Sequence, residues 1–297
     1  MQIALFGHSG YDRAANADSV LLNICTIIHK KQLGLYISDE LFYSFSRMMQ
    51  DQVRSMCILF DVLPPVDLAL SVGGDGTFLH TAASIGDTGI PILGINAGRL
   101  GFLADVNPES FEEVLDEIVS GNYRVEERTL LEITTEDVTT RLDNVHALNE
   151  VAVLKQDTSS MLAIHAYIND QYFTTYQADG LVIATPTGST AYSLSIGGSI
   201  LMPTSSGIII SAVAPHSLTT RPLVVENDSR IKLQVESRSH HYLVSMDGQS
   251  HIFNERTMLE VFKANYTLKV IKRNRHTFFE TLRDKLMWGK DLRTYKM

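Results

Sequence analysis

Long hydrophobic runs are missing from this 297-residue chain. No stretch approaches the ~20 apolar residues that a membrane-spanning helix needs. The opening run Met1-Gln2-Ile3-Ala4-Leu5-Phe6-Gly7 has no basic lead and no long apolar core, so it does not read as a secretion signal. Cysteine is scarce. Cys25 and Cys57 both sit among apolar residues, which excludes a disulfide framework and points to plain buried thiols. Positive charge is in deficit: 25 Lys and Arg against 34 Asp and Glu leave a net charge of −9. That argues against general binding to nucleic acid or anionic membranes, because phosphate backbones demand a surplus of cations. These absences together describe a soluble, cytoplasmic protein with neither nucleic acid nor membrane as partner.

Two phosphate-binding signatures are also absent. There is no Gly-x-x-x-x-Gly-Lys-Ser/Thr, and the first strand–helix turn lacks Gly-x-Gly-x-x-Gly, of which Gly7 and Gly10 are a weak echo. Phosphate must be held in another way if it is held at all.

What is present is an ordinary globular composition, 44% hydrophobic and 20% charged, with length for one large or two medium domains. The first ~120 residues alternate strand and helix. Strands are expected at Ile3–Phe6, Leu35–Ile37, Leu68–Val72 and Ile90–Ile95. Helices are expected over Asn16–Lys31, from a Ser38 or Asp39 cap through Arg54 with Leu41, Phe45, Met48, Met49 and Val53 as its stripe, over Thr77–Ile85, and between Asn107-Pro108 and Gly121. Alternation implies a parallel sheet, with ligands at the carboxyl ends of its strands.

After Gly121 strand-like runs dominate, from Leu130–Thr135 and Val145–Leu154 to Thr257–Ile271, with Asn169-Asp170 and Asp247-Gly248 as turns. The tail from Thr277 to Lys290 returns to helix, with Phe278, Phe279, Leu282, Leu286 and Met287 on one side, and needs a surface to cover. The expected fold is an α/β domain with a parallel sheet (residues 1–122), a β-rich, two-sheet, sandwich-like domain (123–272) and a C-terminal helix (273–297) returning to the first.

The sharpest chemical signal is Ser71-Val72-Gly73-Gly74-Asp75-Gly76-Thr77-Phe78-Leu79. A buried strand runs into glycines that admit close approach to the backbone. A helix start follows, whose amides can receive phosphate oxygens. Asp75 stands where an anion is expected. It can accept a proton from an attacking hydroxyl, help hold a metal ion bridging phosphates, or cap a tight turn, since Gly-Asp-Gly alone is common turn chemistry. Asn149-Glu150 inside an apolar strand calls for partners or marks an edge. Tyr192 can be a core aromatic, and His216 reads as structural. His165, His240 and His241 lack metal-ligand spacing. Lys272-Arg273-Asn274-Arg275 reads as a solvated face.

Gly73-Gly74-Asp75-Gly76-Thr77 resembles the motif shared by NAD kinases, diacylglycerol and sphingosine kinases and, more loosely, phosphofructokinases. Four further blocks resemble NAD kinases in particular: Leu93 to Leu103 (Leu-Gly-Ile-Asn-Ala-Gly-Arg-Leu-Gly-Phe-Leu), Leu148-Asn149-Glu150-Val151, Asp179 to Ser193 (Asp-Gly-Leu-Val-Ile-Ala-Thr-Pro-Thr-Gly-Ser-Thr-Ala-Tyr-Ser), and Ala214-Pro215-His216-Ser217-Leu218 with Arg221 to Val225. Asp247-Gly248 follows. Ser195-Ile196-Gly197-Gly198-Ser199 departs from the family's usual Ala and Pro around its Gly-Gly.

The resemblance implies transfer of the terminal phosphoryl group of ATP, or of another donor, to the 2′-hydroxyl of NAD's adenosine ribose, giving NADP. It implies that Asp75 orients or deprotonates that hydroxyl, and that amides around Gly74, Gly76 and Thr77 receive phosphate. Asn149 and Glu150 would hold the ribose or adenine side. Thr187, Thr190, Ala191, Tyr192 and Ser195 would line the adenosine pocket, and Asp179 and Ala214 would face the nicotinamide end, often from a neighbouring subunit. Mg²⁺ would arrive with the nucleotide, and the assembly would be a homodimer or homotetramer. A lipid kinase sharing the first motif and a non-catalytic NAD-binding regulator are the alternatives.

Overall fold

The computed structural model describes residues 1–7, 17–97, 101–135, 142, 144–157, 160–255 and 257–288. Gly10, the Asn16 helix start, Gly98-Arg99-Leu100 of the second glycine block and Lys290 lie outside the described residues. Contacts divide the chain into two units, Met1–Glu126 with Lys269–Met297, and Glu127–Leu268.

The first unit runs β1 (Gln2–Gly7), α1 (Ala17–Lys30), β2 (Gly34–Ser38), α2 (Asp39–Tyr43), α3 (Arg47–Val53), β3 (Ile58–Phe60), β4 (Leu68–Gly73), α4 (Asp75–Ile85), β5 (Ile92–Asn96) and α5 (Phe111–Val119). These strands pair in parallel in the order β3-β2-β1-β4-β5. β1 and β4 are apolar along almost their whole length because both faces are covered. Ile3, Leu5, Leu68, Leu70, Ile24 and Ile28 meet in one buried cluster. The order reverses between β1 and β4, the place where such sheets leave room beyond their carboxyl ends.

Several expectations are corrected here. The helix expected from residue 38 to 54 is two helices. Ser44 closes α2, its hydroxyl and amide both donating to the Leu41 carbonyl, and the Ser46 hydroxyl then caps α3 by accepting from the Met49 amide. Met48, assigned to the buried stripe, is exposed. Ile58–Phe60 was not expected as a strand, and α4 begins at Asp75 rather than Thr77.

The second unit contains β6 (Tyr123–Thr135), β7 (His146–Ala147), β8 (Glu150–Lys155), β9 (Leu162–Ile168), β10 (Gln171–Ala178), β11 (Gly180–Ala184), α6 (Tyr192–Ser195), β12 (Ile208–Val213), β13 (Leu223–Val225), β14 (Ile231–Glu236), β15 (His241–Met246), β16 (Gln249–Asn254) and β17 (Met258–Arg273). β6 and β17 carry the chain between the units. One antiparallel sheet runs β13-β12-β11-β8-β15-β16, and a second pairs β10-β9-β14-β17. Alternate side chains of both, including Val151, Val153, Ile183, Ile164, Leu233 and Tyr242, form a single core. Asn169-Asp170 and Asp247-Gly248 each join two strands with both residues at positive φ, the two-residue hairpin turn these residue types favour.

The strand expected from Val145 to Leu154 is split into β7 and β8 at Leu148-Asn149. Gln249–Asn254 was not expected as a strand.

The chain then returns to the first unit as α7 (Phe278–Leu286). It opens with a capping box in which the Thr277 hydroxyl accepts from the Glu280 amide and the Glu280 carboxylate accepts from the Thr277 amide. Phe279 and Met287, assigned to its apolar face, are exposed. Lys272 and Arg273 do not form a solvated face. Lys272 is 7% exposed and its Nζ lies 2.6 Å from Asp105, while Arg273 pairs with Glu113 and Glu117 of α5.

Candidate active site

In the first unit, β4 delivers the chain to Gly73, Gly74 is the N-cap of α4, and Asp75 is the first helical residue. Among the described residues no side chain caps this helix, so its first-turn amides and dipole are available to an anion. A Cβ at Gly73 would lie 2.2 Å from the Thr77 hydroxyl, whereas Gly74 and Gly76 face open space. Glycine at 73 thus lets Thr77 fold back against the turn.

The Asp75 carboxylate does not point freely outward. Its Oδ2 accepts from the Phe102 amide at 2.7 Å, and its Oδ1 accepts from Leu103 at 3.0 Å and Ala104 at 3.2 Å. A Cβ at Gly101 would sit 1.8 Å from Oδ1, so only glycine lets the chain pass this close. The first and second glycine blocks are therefore one structural unit, joined through a carboxylate.

In the second unit another carboxylate does the same. Asp247, in the turn between β15 and β16, accepts from the amides of Leu148 (2.7 Å), Asn149 (2.8 Å) and Glu150 (3.1 Å). These bonds replace the ladder at 148–149, which is why the expected strand breaks there. Asp247 was noted in the sequence only as a turn residue; its grip on residues 97–99 positions away has no local signal. Burial pushes the Asp247 carboxyl up, and the three amides pull it back.

Glu150 is pushed up to about 7, by burial first and then by the Asp247 charge, while the Tyr192 amide, which hydrogen-bonds the carboxylate, acts the other way. Its Oε2 is buried without a hydrogen-bond partner among the described residues. Asn149 is also buried, at 7% exposed.

The Thr185–Ser195 segment is anchored beside these residues. The Thr185 hydroxyl donates to the Leu148 carbonyl at 2.6 Å and accepts from the Gly188 amide at 3.0 Å. A Cβ at Gly188 would meet the Asn149 carbonyl at 2.0 Å. Tyr192, Ile196 and Leu201 pack on Ala152, Val182, Ala184 and Ile209, the face of the six-stranded sheet turned away from the core. Thr187 is buried, and its hydroxyl has no partner among the described residues. The Thr190 and Ser195 hydroxyls donate to the Thr187 and Tyr192 carbonyls, and Ala191 precedes α6. Asn149, Glu150, Thr187 and Tyr192 are thus gathered, through Thr185, Gly188 and the Tyr192 amide.

Asp179 and Ala214 lie at the other end of β11 and β12. Asp179 pairs with Lys155 at 2.8 Å, a partner not expected from the sequence. Ala214 is exposed and takes φ +45°, a strained conformation for a residue with a Cβ. The His216 amide donates to the Gln177 carbonyl.

Residues 50–123 match the ATP-NAD kinase N-terminal domain family, and residues 148–273 match the ATP-NAD kinase C-terminal domain family. The chain belongs to the NAD kinase family. It is 56% identical to the NAD kinase of Bacteroides fragilis over 99% of this chain and 100% of that protein. It is 42% identical to the NAD kinase of Porphyromonas gingivalis, over 98% and 99% respectively.

Two solved structures share the fold. A yeast NADH kinase complexed with NADH has a TM-score of 0.87 at 23% identity, over 100% of this chain and 90% of that one. An NAD kinase from Archaeoglobus fulgidus in complex with ATP has a TM-score of 0.74 at 24% identity, over 97% and 99%. No described helix is long and apolar enough to cross a membrane. Among the described residues no group of three or more His, Cys, Asp and Glu could hold a metal ion.

Proposed function

We propose that this chain transfers the terminal phosphoryl group of ATP to the 2′-hydroxyl of NAD's adenosine ribose, yielding NADP. The observation that carries the reading is Asp75, fixed by three amides at the first residue of a helix whose N-terminus has no side-chain cap. A ribose hydroxyl is a weak nucleophile. The work of the site is to position it, to give its proton an acceptor and to stabilise charge on the transferred group. Asp75 takes the hydroxyl, and the amides of Gly74, Gly76 and Thr77 take phosphate oxygens.

On the second unit, Asn149 and Glu150 hold the ribose or adenine side, with the unpartnered Glu150 Oε2 as hydroxyl acceptor. Thr187, Thr190, Ala191, Tyr192 and Ser195 line the adenosine pocket, and Asp179 and Ala214 serve the nicotinamide end. A divalent cation, Mg²⁺, accompanies the nucleotide and neutralises its phosphates.

The two free cysteines fit a reducing cytoplasm, with Cys25 pushed up to about 12 by burial and inert. The assembly we propose is a homodimer or homotetramer; 91%-exposed Leu218, on the Ala214–Val225 segment, supplies apolar surface for a second copy. A fully active monomer in sedimentation would overturn it. Neither a lipid kinase nor a non-catalytic regulator is favoured, since both domain matches and the intact Asp75, Asn149 and Glu150 point to NAD phosphorylation. Incubation with NAD, Mg²⁺ and ATP should give NADP. No product from folded protein with several donors would refute the proposal.

A further inference from the structure

We propose that Lys285, on the C-terminal helix, is a positioning residue for Asp75, acting through the Phe102 turn. Lys285 Nζ lies over the Phe102 ring, 4.4 Å from its centroid. The amide of that same Phe102 is the shortest of the three donors to Asp75. The ammonium is buried and has no hydrogen-bond partner among the described residues. A buried cation without an acceptor is costly, and replacement by an apolar side chain would remove that cost. A cation in that place calls for a task, and its position on the ring of the residue whose amide holds Asp75 supplies one.

The charges that bear on Lys285 are Asp75 on α4, Asp105 after β5 and Lys272 on β17. Asp105 is already engaged by Lys272 at 2.6 Å, with His276 at 4.0 Å. Asp75 is therefore the carboxylate left for Lys285 to balance. Arg283 and Asp284, its neighbours on α7, are exposed. Helix α7, which presents the lysine, is anchored at its start by the capping box and by the His276–Thr281 hydrogen bond.

A cation on the Phe102 face does two things. It holds the ring, and with it the amides that grip Asp75. It also places a positive charge where it can act on the Asp75 carboxylate. Burial pushes the Lys285 ammonium down to about 8, with Asp75 and Asp105 pulling up and Lys272 pushing further down. The support is thus lost as pH rises through about 8.

The inference rests on the proposed role of Asp75, and the test separates the two. Turnover and KM for NAD would be measured from about pH 6.5 to about pH 9.5 for wild type, Lys285→Arg, Lys285→Met and Asp75→Asn. Wild-type turnover should fall on the alkaline side near pH 8, and Lys285→Arg, which stays charged, should lose that fall. Lys285→Met should turn over about tenfold more slowly with no alkaline fall and KM within about twofold. An alkaline fall in Lys285→Arg identical to wild type overturns the inference, even if Lys285→Met does not fold. So does Lys285→Met with wild-type turnover. Asp75→Asn should cut turnover by ~10² or more; near-normal turnover there would sink the Asp75 assignment itself, whatever the lysine variants do.

Discussion

Replacing Glu150 by Gln should stabilise the protein at alkaline pH while removing activity. Gln keeps the shape of the side chain and removes its charge. In the native state Glu150 is pushed from 4.5 up to about 7, first by burial and then by the neighbouring Asp247 charge. The folded protein therefore holds a proton here, between about pH 4.5 and about pH 7, that the unfolded chain has released. A raised carboxyl contributes fully to stability below its unfolded value, and that contribution is lost as pH rises through the folded one. At about 1.4 kcal/mol per pH unit the gap amounts to roughly 3 kcal/mol. Urea unfolding of wild type and Glu150→Gln at about pH 5 and about pH 8 isolates it together with its coupling to Asp247, because the remaining titrations are common to both. The variant should gain roughly 2–3 kcal/mol on wild type between those conditions, and NADP formation should collapse. An identical stability difference at both pH values would refute the argument. It would mean that Glu150 ionises in the fold as easily as in the open chain.

Gly101→Ala should place a Cβ 1.8 Å from Asp75 Oδ1 and force that carboxylate off the Leu103 and Ala104 amides. Turnover should drop ~10²-fold by misplacement alone, with the melting profile still cooperative; unchanged kcat would show that the carboxylate works from another position. Asp247→Ala should leave three buried amides without an acceptor and cost roughly 3 kcal/mol or more in urea unfolding. A loss below about 1 kcal/mol would mean that water replaces the carboxylate.

The parts of this fold legible in the sequence are those fixed locally. β4 running into its glycines, the turns at Asn169-Asp170 and Asp247-Gly248, the Asn107 cap and the start of the last helix near Thr277 each follow from neighbouring residues. The misses are of two kinds. Ser44 ends one helix and Ser46 starts another, yet a stripe that keeps its period across the break reads as continuous. The others depend on distant partners. Leu148-Asn149 leaves the ladder because of Asp247, Lys272 is buried because Asp105 is waiting for it, and Lys285 matters because Phe102 lies beneath it. For the site the sequence named the residues, while the fold adds what holds them.

Asp75 and Asp247 follow one arithmetic. An ionised carboxylate offers about four lone-pair sites. In each, Oδ1 accepts two amides and Oδ2 accepts one. Among the described residues one site is left on Oδ2. At Asp75, under the proposed role, that site is where the ribose hydroxyl donates, and the two engaged amides on Oδ1 fix its direction. A carboxylate so constrained is better suited to orienting the hydroxyl than to removing its proton early. A loose phosphoryl-transfer transition state asks for just that order of events, with the proton leaving late. Asp75→Asn then removes more than a charge. If its amide oxygen keeps the Leu103 and Ala104 donors, its NH₂ faces both the Phe102 amide and the hydroxyl, a donor against two donors. The loss in turnover should accordingly come with a measurable loss in stability, on the order of 1–3 kcal/mol. A variant that is slow but as stable as wild type would show that the turn carries the aspartate, rather than the aspartate the turn.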